Sequence, residues 1–445
     1  MPTKELAQVV FPELDKRFIN VPSESVIKDI CDALYFVSLM TEEGQSIQVH
    51  VVYLDPKQAD DNQSGQEQSP PEDSWSFVPF SDPISLTNSN FAKLAKASDP
   101  RTSSFVIYPD SRRKLCIWGL IDQQNRYYEF VNFDTDTGPN PPGLFHASIL
   151  GVGHISVNIK YDKIAELKVD RLVQNTRDVL RKGPVHQALQ LGIRNYLRTC
   201  KSTMPKEIRN NPSYEWEKIF EYEWISGLCR LLLRIQSYRH GGALLLTPDT
   251  SFQHLNISYN IDYPRLMEAL ESRAQQLAHK AHISDIIWQM WLAPETNELP
   301  FSLYAQEHEV RVDMEENRSE LHGALWFISL LSRVDGLVLM TPELRVKGFG
   351  VEITTQKEPT KIFRSRRQGA AQRDLQIVDY NHFGTRHRSM MRYCAQTPGS
   401  IGFVISQDGE VRVMTKVRGN LIVWENPRLQ YHDFIPRPKR PKKRR

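Results

Sequence analysis

The stretch FEYEWISGLCRLLLRIQSYRHGGALLLTP, residues 220–248, decides the fold. Phe220, Trp224, Leu228, Leu231, Leu232 and Ile235 fall at i, i+4, i+8, i+11, i+12 and i+15, one continuous apolar stripe of a helix. The stripe stops at Gly241-Gly242, a turn signal, and the apolar run 243–246 follows, closed by Thr-Pro. A run that short, fed by a helix through a glycine turn, predicts a buried strand. A helix handing over to a buried strand is the grammar of an α/β fold.

Working outward, 264–292 and 318–334 read as helices, the second running directly into DGLVLM. The runs GFGVEI (348–353), SIGFVIS (400–406), EVRVMT (410–415) and LIVW (421–424) are short and turn-bounded, so they predict strands. Towards the N-terminus, DALYFVSLM (32–40) and SIQVHVVYLD (46–55) predict strands around TEEGQ. SFVIYP and KLCIWGLID predict a hairpin across DSRR, YYEFVNF (127–133) continues the sheet, and FHASILGVGHISVNI (145–159) is again strand-like. The GVG in that last segment has neither a third glycine nor a following helix, which argues against a dinucleotide fingerprint. From Ile164 the pattern turns helical through Gly183, with Ile164, Leu167, Leu172, Val179 and Leu180 near one face. A second helix then starts at Pro184, a residue suited to a first helical position.

At 445 residues the chain exceeds what one core usually organises. The expected layout is mixed α/β: an N-terminal α/β domain (1–165), a helical connector (166–215), a C-terminal domain with a mixed central sheet flanked by helices (216–430), and a basic tail (431–445). The last ten residues carry seven of the 56 Lys+Arg, so the body holds 49 basic against 53 acidic residues. The proline-broken tail reads as a solvated cationic segment, with weak nucleic-acid or acidic-membrane contact as the alternative. The polar, acidic stretch 55–75 reads as a surface loop. Five scattered cysteines without CxxC spacing suggest neither a zinc site nor a disulfide framework. The opening residues do not resemble a signal peptide, and no uncharged apolar run approaches a membrane span, so a cytoplasmic protein is expected.

Three short motifs carry chemistry. In VDGLVLM (334–340), Asp335 and Gly336 stand at the mouth of a buried strand, where a carboxylate suits a magnesium ion, although Asp-Gly is also an ordinary turn. In NHFGTRHRSMMRY (381–393), Thr385 is expected to cap a helix whose first turn holds Arg386, His387 and Arg388. Positive side chains oppose the helix dipole there, and an anion sharing the site would reverse that penalty. The alternative is three solvated basic residues. In IGFVISQDGEVRVM (401–414), a hairpin turning at Asp408-Gly409 leaves Ser406, Gln407 and Asp408 in a loop. No P-loop, HExxH or GxSxG motif is present in the sequence.

Taken in order, GGALLL, DGLVLM, GTRHR and VISQDG resemble the motif series of the diadenylate cyclase (DAC, DisA_N-type) domain, over roughly residues 216–430. GTRHR is the specific element. The N-terminal half, with KLAKASD, LCIWGLID and LGVGHISV, resembles the sensor region called DACNV. The resemblance implies an enzyme that condenses two ATP into cyclic di-AMP plus pyrophosphate under control of an N-terminal domain sensing an unknown signal. It implies Mg²⁺ or Mn²⁺ at Asp335, with Asp408 as the further acidic contact. Gly336 and Leu337 would approach the adenosine, Gly384 and Thr385 would shape the phosphate loop, and Arg386, His387 and Arg388 would hold the triphosphate. Ser406 falls on the family's serine, with Gln407 beside it. Each such domain takes one ATP, so a homodimer or higher homo-oligomer is expected.

The sequence departs from that family in three places. Leu337 replaces the alanine of DGA, the usual acidic pair is contracted to Gln407-Asp408, and the segment between the GGAL strand and Asp335 carries an extra helix. These departures motivate a second reading, a nucleotide-binding sensor of the same fold without turnover. The basic tail and KIFRSRRQ (361–368) motivate a third, a nucleic-acid-binding effector.

Overall fold

The computed structural model describes residues 2–14, 21–42, 44–59, 75–100, 102–123, 145–159, 162–174, 178–292 and 300–429. The chain divides into two compact units, Met1–Thr176 and Arg177–Arg445, each a mixed α/β assembly. The expected strand at 127–133 and the basic tail 431–445 lie outside the described residues.

In the first unit, α1 (Pro2–Val10), α2 (Glu24–Ser38) and α3 (Asn88–Leu94) cover one face of a sheet. After the small ribbon β1 (Thr41–Glu42) and β2 (Gln45–Ser46) come β3 (Val49–Tyr53), β4 (Ser76–Ser85), β5 (Ser103–Pro109), β6 (Leu115–Asp122), β7 (Phe145–Gly151), β8 (His154–Ile159), β9 (Asp162–Lys168) and β10 (Arg171–Gln174). Their order is β10-β9-β8-β7-β3-β5-β6-β4, with β3 and β5 parallel.

Two expectations fail here. DALYFVSLM is the second half of α2, not a strand. Read from further upstream, Ile27, Ile30, Cys31, Leu34 and Val37 recur at helical spacing and are all buried, and Ser23 caps the helix by accepting from Val26 N–H at 3.3 Å. Within the expected helix at 164–183, residues 164–174 belong instead to the β9–β10 hairpin. Ala165 and Leu167 alternate into the core, Glu166 faces the other way, and the chain turns at Val169, whose φ is +58°.

In the second unit, α4 (Pro184–Thr203), α5 (Trp216–Ser237), α6 (Arg265–Leu292) and α7 (Phe301–Leu331) bury one face of a nine-stranded sheet. The strands are β11 (Gly242–Leu246), β12 (Leu255–Tyr263), β13 (Leu337–Met340), β14 (Val346–Ile353), β15 (Ile362–Ser365), β16 (Leu375–Val378), β17 (Ile401–Ile405), β18 (Val411–Val417) and β19 (Asn420–Glu425). Helix α8 (Thr385–Gln396) covers the opposite face through Met390, Met391, Tyr393 and Cys394. All six apolar residues of the 220–235 stripe are buried. Residues 166–215 are not a separate helical connector: β10 ends inside the first unit, while α4 places Val185, Leu189, Ile193 and Tyr196 in the core of the second. No helix among the described residues is long and apolar enough to cross a membrane.

Candidate functional site

Four segments meet at the strand-end edge of the second sheet, where the central strands β13, β11, β17 and β18 begin or finish. β11 and β13 run parallel with Leu244 opposite Val338, so Gly241 and Asp335, each three residues upstream, enter at that edge as neighbours. β17 runs antiparallel to β11 with Ile405 opposite Gly242, so it leaves by the same edge and hands the chain to Ser406. β18 returns with Val411 opposite Ile405. The first turn of α8 reaches this edge as well. A Cβ added to Gly241 would lie 2.8 Å from Arg386 Nη1 and 3.5 Å from Gln407 Cγ. The fold thus brings together VDGLVLM, GTRHR and VISQDG, which are separate in sequence.

The edge is shaped by close backbone approach. Gly336 has φ of +105°, and a Cβ there would sit 2.6 Å from the carbonyl carbon of Gly350 on β14. Any side chain would push β13 away from β14. Asp335 precedes this pinch and is exposed, whereas Leu337 follows it and is buried beneath α8 with Met390 and Met391.

Thr385 does not cap α8. Gly384 is the N-cap, in extended geometry, and no side chain accepts from the first turn. Thr385 is instead the first helical residue and is exposed. Glycine carries no capping oxygen, so the leading N–H groups, with Arg386 half-buried beside them and no acid in the turn, form an anion-receptive end.

The three basic residues have different environments. Arg386 lies at the sheet edge, as above. Arg388 stands with its guanidinium carbon 5.9 Å from the centre of the Tyr380 ring. His387 is 8% exposed, and its Nε2 accepts from Arg412 Nη1 at 3.1 Å. Burial, and then the positive charges of Arg412 and Arg386, push its pKa down to about 4. His387 is therefore a neutral wall residue rather than a third cation at pH 7.

Arg412 itself donates to Glu410 at 2.7 Å and to Glu425 at 3.3 Å, and Arg364 adds a second contact to Glu425 at 3.2 Å. Sequence reasoning missed this network and the place of Gly241. Arg412 sits at a polar position of the apolar-polar alternation in EVRVMT, and nothing local in the sequence signals that His387 stands beside it.

At the hairpin tip, Gly409 takes φ of +82° and Ser406 Oγ donates to the Asp408 carboxylate. The Ser406 hydroxyl also lies 3.1 Å from Glu410 N. Among the described residues no group of three or more His, Cys, Asp or Glu is gathered for a metal ion. A magnesium ion held by one or two carboxylates and substrate phosphates needs no such group, and the exposed Asp335 fits that mode.

No curated protein sequence matches the chain. Within the first unit, residues 16–122 match the family model described as the probable sensor domain DACNV.

Proposed function

We propose that the second unit binds ATP at this sheet edge and is a diadenylate cyclase, joining two ATP into cyclic di-AMP with loss of two pyrophosphates, under control of the first unit. The observation that carries the reading is the convergence of Asp335-Gly336, Gly241, Arg386 and Ser406 at one edge. The DACNV match supports the regulatory half, because a sensor unit needs an output.

In this reading the triphosphate lies against the first turn of α8, where free N–H groups and the Arg386 guanidinium meet the charge that develops on the α-phosphate and the departing pyrophosphate. Asp335 holds the 3′-hydroxyl side of the site. Mg²⁺ or Mn²⁺ bound at Asp335 would supply charge neutralisation and lower the pKa of that hydroxyl. Each 3′-oxygen attacks the α-phosphorus of the other ATP, the bond to pyrophosphate breaks, and the hydroxyl proton leaves. Both attacks require two sites facing one another, hence two copies of the chain.

The test is incubation of the full chain with each nucleoside triphosphate and Mn²⁺ or Mg²⁺, with the product read by mass spectrometry. Cyclic di-AMP from ATP is expected, and Asp335→Asn should abolish it while retaining ATP binding. Absence of any cyclic dinucleotide from folded, ATP-binding protein would favour the second reading, nucleotide sensing without turnover. That alternative draws on Leu337 filling the core beside the site and on Asp408 being engaged by Ser406.

A further inference from the structure

The sheet of the first unit has a second face, opposite α1, α2 and α3. One cross-strand rank on it is polar from β5 to β9: Ser104 and His50 are neighbours, His50 pairs with Ser148, Ser148 with Ser156, and Ser156 with Glu166. Polar residues on an open sheet face ordinarily face water. Here His50, Ser104, His146 and Gln123 are each at most 2% exposed.

Ser104 Oγ donates to Gln123 Oε1 at 2.6 Å and lies 3.2 Å from His50 Nδ1, so with its hydrogen committed the hydroxyl accepts from the imidazole. The His50 and His146 rings stand 5.3 Å apart, and burial holds His50 well below its ordinary pKa range. The other end of the Gln123 amide, Nε2, is buried with no hydrogen-bond partner. A buried donor left unmade costs stability and marks a place where an acceptor is missing.

We propose that Gln123, Ser104, His50 and His146 form a ligand site of the first unit for a small uncharged heterocycle whose carbonyl or ring nitrogen accepts from Gln123 Nε2. Among the described residues no Asp, Glu, Lys or Arg belongs to this end of the rank, so a charged ligand would be desolvated without compensation. The one carboxylate further along, Glu166, is already engaged by Lys163 at 2.7 Å, His154 at 3.4 Å and Lys168 at 3.9 Å. On the same face Val52, Val106 and Ile121, with Trp75 and Phe77, form a buried apolar cluster, against which a flat ring would lie. A polar edge beside an apolar wall is the complement of a nucleobase-like molecule, and it is independent of any ATP bound by the second unit.

The test is calorimetry and thermal melting of the full chain with adenine, hypoxanthine, uracil and nicotinamide at millimolar concentration. Saturable binding of at least one, with a rise in melting temperature, is expected. Gln123→Leu should weaken it at least tenfold, and Arg386→Gln should leave it unchanged. Where Gln123→Leu fails to fold, Ser104→Ala replaces it, with the same loss expected because it releases the amide. The proposal is overturned if no probe binds the folded protein, which would leave Gln123 Nε2 to a buried water. It is equally overturned if binding survives both first-unit substitutions, or if it disappears with Arg386→Gln.

Discussion

Arg412 donates from Nη1 to Nε2 of His387 across 3.1 Å, joining the start of β18 to the first turn of α8. A guanidinium has no lone pair to offer, so the imidazole must accept at Nε2 and carry its hydrogen on Nδ1. The middle residue of Arg386-His387-Arg388 is thereby fixed as one neutral tautomer. The anion-receptive end of α8 is built from two cations on a buried support, not from three cations.

Protonation of His387 would break that support, and the direction follows from its depressed pKa. The folded value is about 4 against an ordinary 6.5, so between those pH values the unfolded chain binds the extra proton. The contribution is fully present above pH 6.5 and is lost as pH falls towards 4. Wild-type protein should lose on the order of 2–3 kcal/mol from this group between pH 7 and pH 4. Urea denaturation across that window should show a shallower decline for His387→Gln, which keeps an acceptor for Arg412 without titrating there. Parallel curves would remove His387 from the pH response.

Arg412 also neutralises Glu410, which is 4% exposed. Arg412→Met should cost about 3–5 kcal/mol, because it strands a buried carboxylate as well as the His387 acceptor. Adding Glu410→Gln should recover part of that loss. A double variant no more stable than the single one would show that the cost lies in packing rather than in charge. Chemical denaturation of the two variants beside wild type measures both quantities.

Much of this was legible in the sequence where periodicity and burial agree. The stripe from Phe220 to Ile235, the strands at Leu244 and Val338 and the turn at Gly409 all follow from local pattern, because each element buries an unbroken apolar face. The failures have separate causes. The edge strands β12 and β16 bury too little to leave an apolar signal, as in the polar LNISYNID of β12, and β15, though buried between β19 and β16, is only four residues long and carries a charged residue. α2 was lost because only its second half was read, and β9 was lost because Ile164 and Leu167 fall at helical i, i+3 spacing, whereas the pair the strand buries is Ala165 and Leu167. The site motifs could be placed in order along the chain. Their meeting depended on the parallel pairing of β11 with β13, which no local pattern encodes.

Gly336 and Gly323 make a contrasting pair. A Cβ at Gly336 meets the backbone of Gly350 at 2.6 Å with φ of +105°, whereas one at Gly323 in the middle of α7 meets nothing within 4 Å. Gly336→Ala should cost about 2–4 kcal/mol through strain and separation of β13 from β14. Gly323→Ala should stabilise by up to about 1 kcal/mol through helix propensity. Thermal melts of the two variants test the pinch directly. Equal tolerance at both positions would mean that the strands separate without penalty.

The last prediction separates the two arginines of the cluster. Arg386 reaches the strand ends at Gly241, beside Gln407, whereas Arg388 stands near the Tyr380 ring. If the triphosphate lies along the first turn of α8, Arg386 meets it at the point where the strands converge. Arg386→Gln should then weaken ATP by about 10- to 100-fold, roughly 1.4–2.8 kcal/mol, and Arg388→Gln by clearly less. Fluorescent ATP-analogue titrations at two salt concentrations would resolve the order, since loss of a phosphate-facing charge also flattens the salt dependence. Gly241→Ala is a third arm of the same test. Its methyl would displace the Arg386 guanidinium without removing charge, so affinity should fall while the net charge of the site stays the same. Equal losses for Arg386→Gln and Arg388→Gln, with Gly241→Ala unaffected, would mean that the anion is held by diffuse charge and not by the edge at which these segments meet.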